Sequence, residues 1–249
     1  MKTPKPWYQI RAAAGEAVEI LIYDEIGRNF FGEGIAAEQF VKDLADIRGR
    51  ALDVRINSVG GQVFEGLAIY NALARHDAKV TVHIDGIAAS IASIIALAGQ
   101  DVRIAANAFM MIHNPHGIAW GNSADMREMA DTLEKIAGSL VGIYQERTGR
   151  SAEAVRAWMD GETWFTAAEA KEAGLVHQVV EAQLEDVRAS GDLTRFSNLP
   201  EPLKPRAAAA APAVMSLLTD EMIADAVLPN VNLMHLSAAS MRTLSRTAL

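Results

Sequence analysis

The chain has 249 residues, half of them apolar, and a formal net charge of −8. That is enough for one domain of about 150–200 residues with extra segments, and its acidic balance gives no general attraction for nucleic acid or anionic membranes. There is no cysteine, which excludes disulfides, thiol catalysis and cysteine-ligated zinc. The N-terminus MKTPKPWYQIRAAAGEA has prolines and an arginine where a signal peptide needs an unbroken apolar run. The longest apolar stretch, residues 87–99, is interrupted by Ser90 and Ser93 and falls short of the roughly 20 residues of a membrane span. A soluble, cytoplasmic protein is expected.

Residues 18–23 (VEILIY) read as a strand, and 24–34, with three glycines, as a turn or hairpin. Residues 37–47 place Phe40, Val41, Leu44 and Ile47 at helical spacing. Residues 52–56 form the next strand, broken by Asn57-Ser58-Val59-Gly60-Gly61. A helix over 63–75 follows, with Val63, Leu67, Tyr70 and Leu73 as its apolar face. Residues 80–84 are a strand, and Asp85-Gly86 is expected to turn the chain into an apolar helix over about 90–98. Short strands at 102–105 and 109–112 precede a long helix over 123–147, whose stripe is Met126, Met129, Leu133, Ile136, Leu140 and Ile143 or Tyr144. Shorter helices at 152–159 and 167–173, a C-capping Gly174 and a strand at 175–180 end the regular pattern.

A strand, a glycine-bearing turn and a helix occur at 52–75 and again at 80–98, which argues for an α/β fold. Ligands and catalytic groups in such sheets gather at the carboxyl ends of strands, where Asn57–Gly61 and Gly86–Ser90 fall. Residues 1–199 read as the working domain. Residues 200–249 read as a linker and tail, because 199–212 (LPEPLKPRAAAAAP) is rich in proline and alanine. One short amphipathic helix is expected at 215–227.

Three segments carry potential chemistry: Gly86-Ile87-Ala88-Ala89-Ser90, Met111-Ile112-His113-Asn114-Pro115 and Glu162-Thr163-Trp164-Phe165. A serine hydroxyl needs an adjacent base to be nucleophilic, and the base needs an orienting partner. Ser90 lies between small neighbours and a helix start, so it is either a nucleophile or a simple N-cap. His113 ends a strand before a proline. His116, beyond that proline, competes with it, and His76, His83, His177 and His235 read as surface or packing residues. The glycine pair 60–61 is either a turn or a source of amides for an oxyanion.

Taken together, INSVGGQVFEGLAIYNAL, DGIAASIAS, MMIHNPHG and ETWFTAAEAKEAGLV, in this order and spacing, resemble the proteolytic subunit of the Clp protease family. More closely, they look like the Clp-like head-maturation proteases of tailed phages and prophages. The resemblance covers roughly residues 7–180. It implies a Clp/crotonase-like α/β fold of repeated β-β-α units, with the 123–147 helix as a handle. It implies Ser90 as nucleophile, His113 as general base, and Gly61 and Ile91 as the oxyanion-hole amides. Glu162 stands where the family has its third triad member, with Asp160 as the rival. The implied activity is serine endopeptidase cleavage of protein substrates, such as scaffold or capsid proteins, inside a homo-oligomer, a heptameric ring or stacked rings. It needs no metal or organic cofactor and works with or without a Clp-type ATPase. Val59 departs from the family's usual proline, and the family's N-terminal axial segment is not recognisable. Two other readings are a crotonase-like acyl-CoA enzyme and a non-enzymatic capsid-assembly or scaffolding protein. The Ser90/His113 pair argues against the first, and the tail motivates the second.

Overall fold

β-branched, nearly unbroken apolar runs belong in parallel sheets covered on a helical face, and such runs build the centre of this chain. The structure, a computed structural model, describes residues 6–12, 17–27, 34–181 and 192–204. Its sheet has the order β1 (Tyr8–Ala12), β2 (Val18–Ile22), β3 (Leu52–Ser58), β4 (Val80–Ala89), β5 (Asp101–Ala105), β8 (Gln178–Val180). β1 is an antiparallel edge on β2; from β2 to β8 every neighbouring pair is parallel. β6 (Phe109–Ile112) leaves this path and pairs in parallel with the far end of β4, and β7 (Thr163–Thr166) lies antiparallel on β6. Ile20, Ile22, Val54, Ile56, Val82, Ile84, Val102 and Ile104 all point into one core. Their alternates, such as Asp53 and Arg55, face outward on the other side.

The helices α1 (Ala37–Ala45), α2 (Val63–Ala74), α3 (Ile91–Ala96), α4 (Ser123–Thr148), α5 (Ala152–Asp160) and α6 (Ala167–Glu172) follow the expected segments closely. Three details differ. In α2 the buried residues are Gly66, Ile69, Ala72 and Leu73, whereas Val63, Leu67 and Tyr70 are only partly buried. The inward face is set by contact with α3 rather than by the largest side chains, because Gly66 lets the helices approach: a Cβ there would stand 2.2 Å from Ile91 Cγ1. The last strand begins at Gln178, not at 175, since Leu175 and Val176 donate their amides back to Ala170 O at the end of α6.

The third difference positions the site. Asp85-Gly86 does not turn the chain: β4 runs on to Ala89. Its register to β3 passes from Ile56↔Ile84 to Ser58↔Ala88, so β4 carries two extra residues in a bulge. Bulges bend and re-aim a strand. Before the bulge β4 pairs with β5, and after it with β6. Arg55 holds the bulge by donating to both carboxylate oxygens of Asp85, from Nε at 2.9 Å and Nη2 at 2.6 Å, and Tyr23 Oη donates to Asp85 Oδ2 at 2.6 Å. A two-pronged contact of this kind fixes geometry as well as charge.

Helix α4 starts with a capping box, in which Asn122 Oδ1 accepts from Asp125 N at 3.4 Å and Asp125 Oδ2 accepts from Asn122 N at 2.7 Å; Asn122 Oδ1 also accepts from Ala124 N at 2.7 Å. It ends at Gly149 in the left-handed conformation. Only its second half is core: Ala137, Leu140, Val141 and Tyr144 are buried, while Met126 is exposed and Met129 and Leu133 are half-exposed. The compact unit that contains all these elements runs to Lys204. Residues 205–249, including the predicted helix at 215–227, lie outside the described residues, as do residues 28–33 of the predicted turn. Among the described residues no helix is long and apolar enough to cross a membrane.

Candidate active site

Strands β3, β4 and β6 run parallel, so their carboxyl ends open on one edge of the sheet. Each delivers one element of the site there. β4 ends at Ala89, and Ser90 follows with φ 55° and ψ −130°. Its amide continues the ladder to Met111 O at 2.9 Å, and its carbonyl accepts from Ser93 N at 3.0 Å and Ser93 Oγ at 2.6 Å. Positive φ is costly for a residue with a Cβ, on the order of 1–2 kcal/mol, so the strand before and the helix after must impose it. The result is a sharp corner that lifts the Ser90 side chain out of the backbone path. That side chain makes no capping bond to α3, which removes the simple N-cap interpretation. Instead Ser90 Oγ lies 2.7 Å from His113 Nε2.

His113 follows the last residue of β6. Asn114 fixes the exit by donating its amide to Met159 O at 3.2 Å and its side-chain Nδ2 to Asp160 Oδ1 at 2.7 Å. Burial pushes the His113 imidazole down to about 4, with the nearby His116 and Arg195 pushing the same way and Glu162 opposing. The ring is therefore neutral at neutral pH, and its Nε2 lone pair is free to accept the Ser90 proton. His116 lies 5.5 Å from His113, centroid to centroid.

The loop after β3 is held from three sides. Asn57 Oδ1 accepts from Ile87 N at 3.2 Å. Ser58 Oγ donates to Asp24 O at 2.7 Å and accepts from Gly60 N at 3.2 Å. Ile26 donates to Gly60 O at 2.8 Å and accepts from Gln62 N at 3.0 Å. Both glycines have positive φ, 95° and 152°. A Cβ on Gly60 would come within 2.8 Å of Ala89 O and Ser90 Cβ, and one on Gly61 within 2.1 Å of Ile26 O. The glycine pair is thus required for the loop to pass this close to the serine corner. Ile91 opens α3, so its amide has no acceptor within the helix. The Gly61 amide has none among the described hydrogen bonds.

The two acidic candidates separate. Asp160 is engaged by Asn114 and does not figure among the charges that act on His113. Glu162 does figure there, and its Oε1 accepts the amide of Asn198 at 2.6 Å. Neither carboxylate bonds to the second ring nitrogen of His113 among the described hydrogen bonds. Glu162 has φ 45°, and with Ser90 it forms the pair of non-glycine residues in the left-handed region among the described residues. Strain of this kind concentrates at working sites. No group of three or more His, Asp or Glu among the described residues is placed to hold a metal ion.

Several participants gave no signal in the sequence. In the sequence Ser93 is only a polar residue in an apolar helix, and Tyr144 is only a member of an apolar stripe. Arg195, Phe196 and Asn198 stand in an irregular segment, yet each touches the site.

The fold and the site define an α/β protein with an apposed serine–histidine pair at the carboxyl edge of a parallel sheet. A family model described as Clp protease matches residues 2–183, and the chain belongs to that family. It is similar to the ATP-dependent Clp protease proteolytic subunit of Bacteroides fragilis, with 35% identity over 134 residues, 53% of this chain and 65% of that protein. The corresponding subunit 1 of Streptomyces avermitilis is 36% identical over 175 residues, 70% of this chain and 78% of that protein. The chain therefore spans just under two thirds of the Bacteroides relative. Among solved structures, a ClpP1 variant from Listeria monocytogenes superposes with a TM-score of 0.57 at 27% identity, covering 66% of this chain and 91% of that one. This likeness fits the expected Clp/crotonase-like α/β fold.

Proposed function

We propose that this chain is a serine endopeptidase that hydrolyses peptide bonds through an acyl-enzyme, with Ser90 as nucleophile and His113 as general base. The observation that carries this reading is the 2.7 Å approach of His113 Nε2 to Ser90 Oγ. His113, neutral, takes the hydroxyl proton as Ser90 Oγ bonds to the scissile carbonyl carbon. The amides of Gly61 and Ile91 receive the developing oxyanion, and Glu162 offsets the charge of the imidazolium. The imidazolium then protonates the leaving amine, and water repeats the sequence on the acyl-enzyme. A crotonase-like acyl-CoA reading would leave the serine–histidine apposition without a use.

The reading extends to assembly and setting. The exposed first half of α4, with Met126, and the preceding loop, with Ile118 and Trp120 each 80% exposed, offer apolar surface for further copies of the chain. A homo-oligomeric ring with the sites inside, acting on protein substrates in the cytoplasm, accounts for that surface. Cleavage of scaffold or capsid proteins during phage prohead maturation is the role that the four sequence motifs support, with or without a Clp-type ATPase.

The test is a fluorophosphonate probe followed by peptide mapping, with peptidase assays of wild type and Ser90→Ala. Labelling at Ser90 and loss of peptidase activity in the variant are expected. Full activity in Ser90→Ala would reject the assignment.

A further inference from the structure

We propose that the segment 192–204, which lies beyond the 2–183 span shared with the family, completes the catalytic unit through Arg195, Phe196 and Asn198 as positioning residues. This rests on the serine-peptidase reading above.

Each of the three residues holds a different wall of the site. Arg195 Nη2 donates to Val59 O at 2.8 Å, the carbonyl just before the glycine pair, and its Nη1 donates to Glu25 Oε1 at 2.7 Å. Phe196, 6% exposed, presents its ring edge-to-face to His113 at 5.9 Å and to Trp164 at 5.5 Å. It packs with Val59, Ile87, Ala89 and Met111, at or beside the ends of β3, β4 and β6. Asn198 donates its backbone amide to Glu162 Oε1 at 2.6 Å and its side-chain Nδ2 to Gly161 O at 2.7 Å. These two bonds pin a residue whose own backbone is strained. The segment is itself ordered by a short 3-10 turn, Leu193–Arg195, with Asp192 Oδ1 accepting from Thr194 N at 2.8 Å.

The placement favours support over obstruction. The segment's hydrogen bonds and ring contacts go to Glu25, Val59, His113, Gly161, Glu162 and Trp164, and among the described residues none of these goes to Ser90, Gly61 or Ile91, where a substrate carbonyl has to lie. Phe196 also shields the imidazole from water. The charged or titratable groups acting on His113 are His116, Glu162 and Arg195, so the last of them comes from this segment.

The experiment uses the full chain and follows hydrolysis of a fluorogenic peptide from roughly pH 4 to 8. Phe196→Ala admits water to His113. The acid limb of kcat/KM is expected to move up by about one pH unit toward the ordinary histidine range, and kcat to fall roughly tenfold with KM little changed. Phe196→Leu restores most of both. Asn198→Pro removes the amide donor to Glu162 and lowers kcat by a similar factor; Asn198→Ala keeps that donor and loses less. Asn198 is exposed, so its variants remain informative if Phe196→Ala fails to fold. Unchanged kcat and acid limb in folded Asn198→Pro and Phe196→Ala would overturn the proposal. A rise in kcat/KM would overturn it too, marking the segment as a plug. Ser90→Ala is assayed alongside: its retained activity would sink the serine reading itself, whereas its inactivity beside unaffected segment variants would sink only this inference.

Discussion

Tyr144 Oη lies 2.7 Å from Ser93 Oγ, and Ser93 Oγ donates onward to the Ser90 carbonyl at 2.6 Å. Because the serine hydroxyl has one proton, Tyr144 is the donor of the first bond. The long helix α4 is thereby joined to the serine corner through two buried hydroxyls. Removing Tyr144 Oη leaves Ser93 with its bond to Ser90, whereas removing Ser93 Oγ leaves a buried phenol unpaired. Tyr144→Phe is expected to cost about 1 kcal/mol, and Ser93→Ala more, up to about 3 kcal/mol. Urea unfolding measures both, and the reverse order would refute the relay.

The close contact between α2 and α3 yields a second expectation. Gly66→Ala drives a methyl against Ile91, and overpacking of this kind costs about 1–3 kcal/mol. Since Ile91 carries one of the proposed oxyanion amides, peptidase activity should fall further than stability alone explains. Gly61→Ala, meeting Ile26 backbone, should lower kcat about 10²–10³-fold. Steady-state kinetics at a temperature where both variants remain folded checks this.

His113, held down to about 4 mainly by burial, sets the pH response. In the proposed reading the general base is lost as it protonates, so kcat/KM should stay flat through neutral pH and fall only as pH drops toward about 4. Stability moves in the same direction. The folded value lies below the ordinary 6.5, so between these two values the unfolded chain binds a proton that the folded chain refuses. This group's contribution therefore weakens folding as pH falls through that window. His113→Gln should flatten the corresponding part of a stability-against-pH curve. An acid limb centred near 6.5 in the wild type would contradict the buried, neutral imidazole.

The two carboxylates near the site are separable by substitution. Glu162→Gln keeps size and the bond from Asn198 but removes the charge that favours the imidazolium, and should lower kcat at least tenfold. Asp160→Asn, which disturbs the Asn114 contact, should have a much smaller effect. Equal losses, measured under single-turnover conditions, would show that neither acts on His113 by its charge.

Residues 205–249 carry an alanine- and proline-rich stretch and end a chain that cleaves peptide bonds in the proposed reading. Self-cleavage within this tail is expected in wild type and not in Ser90→Ala. Identical full-length masses for both after prolonged incubation would count against it.

The sequence by itself determined the elements and the chemical residues. Periods of two and 3.6 placed β2, β3, β5, β6 and all six helices within a few residues and found the first half of β4, and the serine, histidine and glycine-pair motifs named the parts that meet. Tertiary structure decided the rest, because the deciding contacts are remote in sequence. Asp85-Gly86 has the composition of a turn, yet Arg55, 30 residues away, holds it as a bulge that swings β4 from β5 to β6. The buried face of α2 follows Gly66 against Ile91 rather than its largest side chains. Arg195 reaches Val59 across 136 residues and Glu25 across 170. Local periodicity reports which face of an element is apolar; it holds no record of which distant chain will cover that face, and that pairing is what brings a loop-borne phenylalanine onto the His113 imidazole.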